Sequence, residues 1–136
     1  MADNEFQIKI IAPDRIFYEG EATMVEFTTT EGDIGVLKNH IPLTTVLAPG
    51  VITITEADDS KKYAGVYAGF VEILGESVTI LAETAEWPDE IDVDRAQAAE
   101  KRARDRIETK APGLDLARAD IALKKSLVRQ NLVSRL

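Results

Sequence analysis

Cysteine is absent from the sequence, and long apolar runs are missing as well. Without cysteine the chain can form no disulfide bond and perform no thiol chemistry, which fits a cytoplasmic protein. No apolar stretch reaches the roughly 20 residues that a membrane-spanning helix needs. The first residues, MADNEFQIKI, lack the basic start and the apolar core of a signal peptide. We therefore expect a cytoplasmic protein without a membrane anchor of its own.

Recognisable catalytic motifs are also missing. His40 is the only histidine, and the sequence around it designates no nucleophile to act with it. A small hydrolase that uses Asp33 and His40 is an alternative. It is disfavoured because the chain has no phosphate loop of the G-x-x-x-x-G-K-S/T type and no complete catalytic set. One imidazole and one carboxylate do not make a metal site. We expect a protein that is not an enzyme, holds no metal and uses His40 in the structure of a loop.

Charge is distributed unevenly along the chain. The formal net charge of -8 argues against nucleic-acid binding. Residues 1–87 carry five basic and fifteen acidic side chains, whereas residues 88–136 carry eleven basic and nine acidic ones. Either each part simply has a solvated surface, or the mildly basic part meets an acidic partner or an anionic ligand.

The first part of the chain has the pattern of short β-strands. Phe6, Ile8 and Ile10 alternate with polar residues, which is typical of a half-buried strand. Further strands are predicted on either side of two turns, at residues 57–60 and at 75–76. Turn signals every eight to twelve residues favour a sandwich over a βαβ fold. Residues 1–87 are predicted to form an antiparallel β-sandwich.

The second part, residues 88–136, has helical spacing. Asp92 and Asp115 are predicted to cap two helices that Pro112-Gly113 separates, which predicts an antiparallel two-helix hairpin and an α+β protein. The expected apolar stripes are Ala96, Ala99, Ala103 and Ile107 on one helix, and Leu116, Ala119, Leu123, Leu127 and Gln130 or Asn131 on the other. Alanine removes little apolar area from water, so we expect the hairpin to lie near a balance between docked and detached states.

Basic side chains recur on these helices. Arg95, Arg102 and Arg106 fall at i, i+7 and i+11, which places them on one side of the first helix. Lys125 and Arg129 form an i, i+4 pair on the second helix. These side chains either surround one polyanion, for which arginine forks are suited, or form a solvated face with local acidic partners.

The sequence resembles a known family over essentially the whole chain, and two segments carry the resemblance most clearly. Residues 31–43, EGDIGVLKNHIPL, and residues 67–86, YAGFVEILGESVTILAETAE, are similar to two motifs of the epsilon subunits of bacterial F-type ATP synthases. The resemblance implies a flattened β-sandwich and a two-helix hairpin in a non-catalytic rotor subunit. It also implies attachment to the gamma subunit and to the ring of c subunits, at the cytoplasmic face of the cell membrane. The hairpin is expected to extend toward the alpha and beta subunits and to inhibit ATP hydrolysis.

The resemblance includes a nucleotide-binding motif. In some members of the family the retracted hairpin binds ATP through an (I/L)-D-x-x-R-A sequence, which is matched by Ile91, Asp92, Arg95 and Ala96. ATP is therefore expected as a regulatory ligand, and no cofactor is required.

Further ATP contacts follow from the same resemblance. Glu86 is implied as an acceptor for the adenine amino group, and Arg102 and Arg129 as phosphate ligands. Lys125 stands where nucleotide-binding members typically carry arginine, and lysine lacks the planar fork of a guanidinium.

Overall fold

The computed structural model describes residues 3–110 and 112–135. A nine-stranded β-sandwich is followed by a 3-10 turn and two α-helices. The strands are β1 Phe6–Ala12, β2 Arg15–Thr29, β3 Gly32–Val36, β4 Leu43–Leu47, β5 Gly50–Glu56, β6 Lys61–Val66, β7 Gly69–Ile73, β8 Ser77–Ala82 and β9 Ala85–Glu86. The 3-10 turn covers Pro88–Glu90, and the helices are α1 Val93–Thr109 and α2 Leu116–Val133.

The strands pair in the order β1-β8-β7-β4-β2-β5-β6-β9, with β3 paired to β2. β2 is long enough to pair with β1 through its first half and with β3 and β5 through its second half. A register shift between Ala22 and Met24 marks the change of partner on this strand. One strand thus links the parts of the sandwich, as bulged corner strands do.

The predicted hairpins β5–β6 and β7–β8 are both present. The pairing of β1 with β8 is parallel, unlike the other pairings between described strands. These two strands lie far apart in the sequence, so no tight turn fixes their relative direction, and alternation alone could not predict it. The sandwich itself is confirmed.

Alternating side chains fill the core of the sandwich. Ile8, Ile10, Val25, Ile54 and Ile80 are fully buried on strands that the alternation predicted. These inward residues fix which residues of each strand point outward, because successive side chains of a strand alternate between its two faces.

Gly69 opens β7 in a conformation that only glycine adopts readily. Its φ is +141°, and a Cβ atom there would overlap the carbonyl oxygen of Leu81 on β8. The close approach of these two strands therefore requires glycine.

The two helices begin where the sequence predicted. The Asp92 carboxylate accepts a hydrogen bond from the backbone amide of Arg95, and the Asp115 carboxylate accepts one from that of Arg118, each at 3.1 Å. α1 ends at Thr109, and the capping residue Lys110 that follows has a left-handed φ of 49°. The Asp92 and Asp115 carboxylates thus satisfy backbone amide groups that have no partner within the helix.

The helices pack through small side chains, as expected. Ala96 and Ala103 of α1 and Ala119 of α2 are buried. The apolar stripe predicted for α2 is wrong at Leu116 and Leu127, which are exposed; the other buried residues of α2 are Ser126 and Leu132. The reason is that α2 contacts the sandwich as well as α1, so its buried positions follow two directions rather than one stripe.

The junction between sandwich and hairpin is held by side chains of β2. The Trp87 ring stacks on Phe17 with centroids 4.3 Å apart. The Glu90 carboxylate accepts from the Trp87 amide at 2.9 Å and from Nη2 of Arg15 at 2.8 Å. In the described part of the chain, neither helix has the length and apolarity that crossing a bilayer would require.

Glu90→Gln should remove a pH-dependent part of the stability. The hydrogen bond from Arg15 holds the pKa of the Glu90 carboxyl below its usual value of 4.5. The ionised group therefore stabilises the fold above pH 4.5, and this contribution disappears as the pH falls through the lower pKa of the folded state. The effect should be small because both side chains are well exposed.

Urea denaturation of wild type and variant at about pH 7 and about pH 3 measures this effect. The difference in unfolding midpoint should be smaller at the lower pH than at the higher one. Glu108→Gln, at an exposed position of α1, is the control. An equal difference at both pH values would show that the Glu90 charge is not its source.

Candidate functional site

Glu86 and Arg129 form an ion pair between the sandwich and the hairpin. Oε1 of Glu86, at the end of β9, accepts from Nε of Arg129 on α2 at 2.8 Å. The two side chains are 23% and 30% exposed, so solvent screens this pair less than a surface pair. The structure therefore brings together two residues predicted to contact opposite ends of one ligand.

The ring of Tyr67 packs against the guanidinium of Arg129. The guanidinium carbon of Arg129 lies 4.7 Å from the centroid of the Tyr67 ring, a cation-π contact. The Tyr67 hydroxyl is buried and has no hydrogen-bond partner among the described residues. Burial, followed by the nearby Glu86 carboxylate, raises the pKa of Tyr67, so its hydroxyl stays protonated at neutral pH.

The short motif at the start of α1 has a structural role in the arrangement seen here. Ile91 closes the 3-10 turn by donating its backbone amide to the carbonyl of Pro88. Asp92 caps α1, and Ala96 is buried. Arg95 is exposed in the first turn of the helix. The capping interpretation of Asp92 is confirmed, whereas ligand contacts of these residues stay a prediction.

A basic cleft of about 610 Å³ lies between the two helices near their connection. Arg102 and Arg106 of α1 and Arg118 of α2 line it, together with four alanines, Ala99, Ala103, Ala119 and Ala122. Small residues leave the space between the helices open, while the arginines supply positive charge around it. Asp115 also lines the cleft, so its three arginines and one carboxylate leave it with a positive balance that suits an anion.

Lys125 lies in a different cleft from Arg102. It lines a space of about 850 Å³ between α2 and the sandwich, next to Tyr67 and Glu83. By helical spacing, Arg118, Lys125 and Arg129 follow one line along α2, at i, i+7 and i+11. Arg102, Arg106 and Arg118 thus share one cleft, whereas Arg95, Lys125 and Arg129 do not line it.

Sequence reasoning identified the line on α1 and missed Arg118. The same i, i+7, i+11 spacing that selects Arg95, Arg102 and Arg106 also selects Arg118 with Lys125 and Arg129. Tyr67 was missed because its position under Arg129 depends on the docking of α2, which no local pattern encodes.

His40 lies in the loop before β4. Its Nδ1 lies 2.6 Å from the carbonyl oxygen of Ile41, a local hydrogen bond that fits the predicted loop role. Asp33 instead accepts from the Thr28 hydroxyl at 2.7 Å. In residues 3–110 and 112–135, no three acidic, histidine or cysteine side chains group in a way that would hold a metal ion.

A second surface lies on the sandwich, where apolar side chains form a row across five strands. Val46 of β4 pairs with Phe70 of β7, and Phe70 pairs with Leu81 of β8. Leu81 pairs with Ile11 of β1, which pairs with Ile16 of β2. Directly opposed residues point to the same face, so these five side chains form one continuous strip, called here the apolar row.

The apolar row faces solvent in the isolated chain. Phe70, Ile16 and Leu81 are 57%, 56% and 51% exposed, and Val46 is 43% exposed. Soluble monomers rarely expose such a contiguous apolar strip, which is typical of a surface that binds another protein.

Family models match both parts of the chain. Residues 5–88 match the model described as "ATP synthase, Delta/Epsilon chain, beta-sandwich domain". Residues 89–133 match "ATP synthase, Delta/Epsilon chain, long alpha-helix domain". The chain is also similar to proteins named "ATP synthase epsilon chain". The one from Caldanaerobacter subterraneus subsp. tengcongensis is 41% identical over 98% of this chain and 96% of the relative. That of Clostridium novyi is 40% identical over 94% and 97%.

Two solved structures are similar in fold. A chain in the cryo-EM structure of the Euglena gracilis mitochondrial ATP synthase, OSCP/F1/c-ring, superposes with a TM-score of 0.83 at 21% identity, covering 93% of this chain and 80% of that one. A chain in the central stalk/c-ring structure of the Tetrahymena thermophila mitochondrial enzyme gives a TM-score of 0.53 at 15% identity, covering 96% and 94%. At these identities the two structures inform on the fold alone.

Proposed function

Because the chain belongs to the family of ATP synthase epsilon chains, we propose that it is a non-catalytic subunit of the central stalk of an F-type ATP synthase. In this role the sandwich attaches to the gamma subunit and to the c-ring. The subunit then lies peripherally at the cytoplasmic face of the membrane, as part of the complex.

The apolar row is the observation that carries this proposal. It is a continuous strip on an otherwise strongly acidic sandwich, and desolvating it would favour binding to a protein. The gamma subunit is the proposed occupant, because the rotor role requires a permanent contact between the two chains.

We further propose that the hairpin inhibits ATP hydrolysis when it leaves the sandwich and extends toward the alpha and beta subunits. Support comes from its weak packing, since α1 buries only Ala96 and Ala103 against its neighbours. Exposed Leu116, Ile121 and Leu127 on α2 give a detached helix an apolar surface for another partner.

ATP is the proposed ligand of the docked hairpin. The phosphates would occupy the basic cleft of Arg102, Arg106 and Arg118, and the adenine would lie toward Glu86 and the motif at residues 91–96. Arg129 would have to exchange the Glu86 carboxylate for phosphate oxygens, because its Nε is bound to Glu86 in the arrangement described here.

Two other functions are less well supported. A hydrolase that uses Asp33 and His40 would need these groups free, whereas Asp33 accepts from Thr28 and His40 bonds a neighbouring carbonyl. A nucleotide sensor outside any complex would leave the apolar row without a role. Co-purification with alpha, beta and gamma subunits distinguishes this sensor from the rotor subunit.

Phe70→Glu should weaken the attachment of the chain to the gamma subunit. A carboxylate in the centre of the apolar row would have to lose its hydration on binding, so we expect affinity to fall at least about tenfold. Titration of purified gamma subunit, followed by light scattering or calorimetry, measures the change. Lys61→Glu, an exposed site on β6, is the control. Equal affinity of the two variants would contradict a gamma site on this row.

Arg102→Ala and Arg118→Ala should each weaken ATP binding about tenfold or more, because each removes a charged hydrogen-bond donor for phosphate. Isothermal calorimetry of the full chain with ATP tests this expectation. Arg104→Ala is the matched control, since Arg104 also lies on α1 but bonds to Glu100 outside the cleft. If all three variants bound ATP like wild type, the cleft would not be the phosphate site.

Deletion of residues 88–136 should raise the ATPase activity of the assembled complex. The apolar row lies wholly within the sandwich, so the shortened chain should still assemble. Activity of complexes reconstituted with full-length and shortened chains, at equal subunit content, is the measurement. Unchanged activity would remove the inhibitory role of the hairpin.

A further inference from the structure

α2 lies against β6, where the outward residues alternate between large and small. Tyr63 and Gly65 of β6 and Tyr67, just beyond its end, share one face because successive strand residues point to opposite sides. Tyr67 and Gly65 are buried and Tyr63 is half-buried. The strand therefore presents two aromatic rings with a gap between them.

Two residues of α2, and one residue just beyond its end, fit this pattern. The guanidinium carbon of Arg129 lies 4.7 Å from the Tyr67 ring centroid, and that of Arg135 lies 4.8 Å from the Tyr63 ring centroid. Between the two arginines, Leu132 is fully buried. Arg129 and Leu132 lie about one turn apart on α2, and Arg135 follows in the turn after the helix.

Gly65 makes room for the Tyr67 side chain and lies beside Leu132. A Cβ atom at Gly65 would overlap the Tyr67 hydroxyl and would lie 3.4 Å from Cδ2 of Leu132. Glu86 pairs directly with Gly65 across β6 and β9, and this position lets its carboxylate accept from Arg129. Glycine at this position therefore leaves room for the Tyr67 ring on which Arg129 lies.

This contact carries the largest buried side chain of the described hairpin. The other buried hairpin residues are three alanines and Ser126, which bury little area. The docked position of the hairpin consequently depends on Leu132 and on the two arginine–tyrosine contacts.

We propose that Tyr63, Gly65 and Tyr67 form a receptor that holds the hairpin docked without nucleotide, by binding Arg129, Leu132 and Arg135. We call these six residues the β6 latch. The proposal rests on the mobile hairpin of the proposed function and names what regulates that mobility.

The β6 latch has two parts that respond differently to ATP. Arg129, with its partner Glu86, is a proposed ligand residue, so nucleotide can rearrange this ion pair. None of the residues proposed for ATP is among Leu132, Gly65, Arg135 and Tyr63, which make up the second part, although Gly65 pairs with Glu86 across β6 and β9. The second part can therefore keep the hairpin in place while the first exchanges a carboxylate for a phosphate.

Hydrogen exchange of the full chain without nucleotide tests the latch. Leu132→Ala should speed exchange of the α2 amides about 30-fold, the smallest factor typical of a buried leucine. Arg135→Ala should speed it a fewfold, because an exposed cation-π contact contributes less. Amides of β1 and β8 should exchange at wild-type rates in both variants, since the core of the sandwich is untouched.

Gly65→Ala should also speed exchange of the α2 amides, because its Cβ would displace the Tyr67 ring that Arg129 contacts. Gly75→Ala is its matched control, because a Cβ at Gly75 would meet only the Asn39 side chain at an ordinary 3.9 Å. Arg104→Ala is the control for Arg135→Ala.

Wild-type protection of α2 in both Leu132→Ala and Arg135→Ala would overturn the latch. Because this measurement contains no nucleotide and no other subunit, it is independent of the proposed function. Calorimetry that found no ATP binding would contradict the nucleotide site while leaving the exchange result intact. Faster α2 exchange in the variants, with strand amides unchanged, supports the latch whichever way that calorimetry turns out.

Discussion

Few contacts join the end of the hairpin to the sandwich: Arg129 lies on Tyr67, Arg135 lies on Tyr63, and Leu132 lies beside Gly65. Gln130 of α2 donates to the Glu100 carboxylate of α1, but the other buried side chains of the described hairpin are alanines and Ser126, which remove little apolar surface from water. Because so few side chains make the contact, docking is sensitive to single substitutions. For the same reason the free energy needed to detach the hairpin is small, as the proposed regulatory role requires. Tighter packing along the whole hairpin would stabilise the docked state and reduce its response to a ligand.

Glu86 and Arg129 connect this contact to the nucleotide proposal. Their ion pair satisfies two charged groups that would otherwise be partly buried without partners. A nucleotide that binds both groups replaces one set of hydrogen bonds with another, so its net effect on docking is the difference between the two sets. The nucleotide then shifts the hairpin toward the docked state only to the extent that it binds the docked state more tightly than the detached one.

Local features were predictable from the sequence, and long-range ones were not. The caps at Asp92 and Asp115 and the alternation at Ile8 and Ile10 depend on neighbouring residues alone, so pattern reasoning found them. The parallel β1–β8 pairing and the burial of Leu132 depend on residues far apart in the chain. At the candidate site the family resemblance predicted Glu86 and Arg129. The role of Tyr67 follows only from the docked position of α2, which places Arg129 on its ring.

The two functional surfaces lie on different parts of the sheet. The apolar row uses β4, β7, β8, β1 and β2, while the hairpin contacts β5 and β6 at the other end of the strand order. A partner bound to the row therefore need not displace the hairpin, and a hairpin that leaves β6 need not disturb the row. A rotor subunit has to remain attached while its regulatory element moves, and separating the two surfaces on one rigid sandwich meets that requirement. The Phe17–Trp87 stack and the Arg15–Glu90 pair fix the junction to β2, so the proposed motion of the hairpin would begin beyond Ile91.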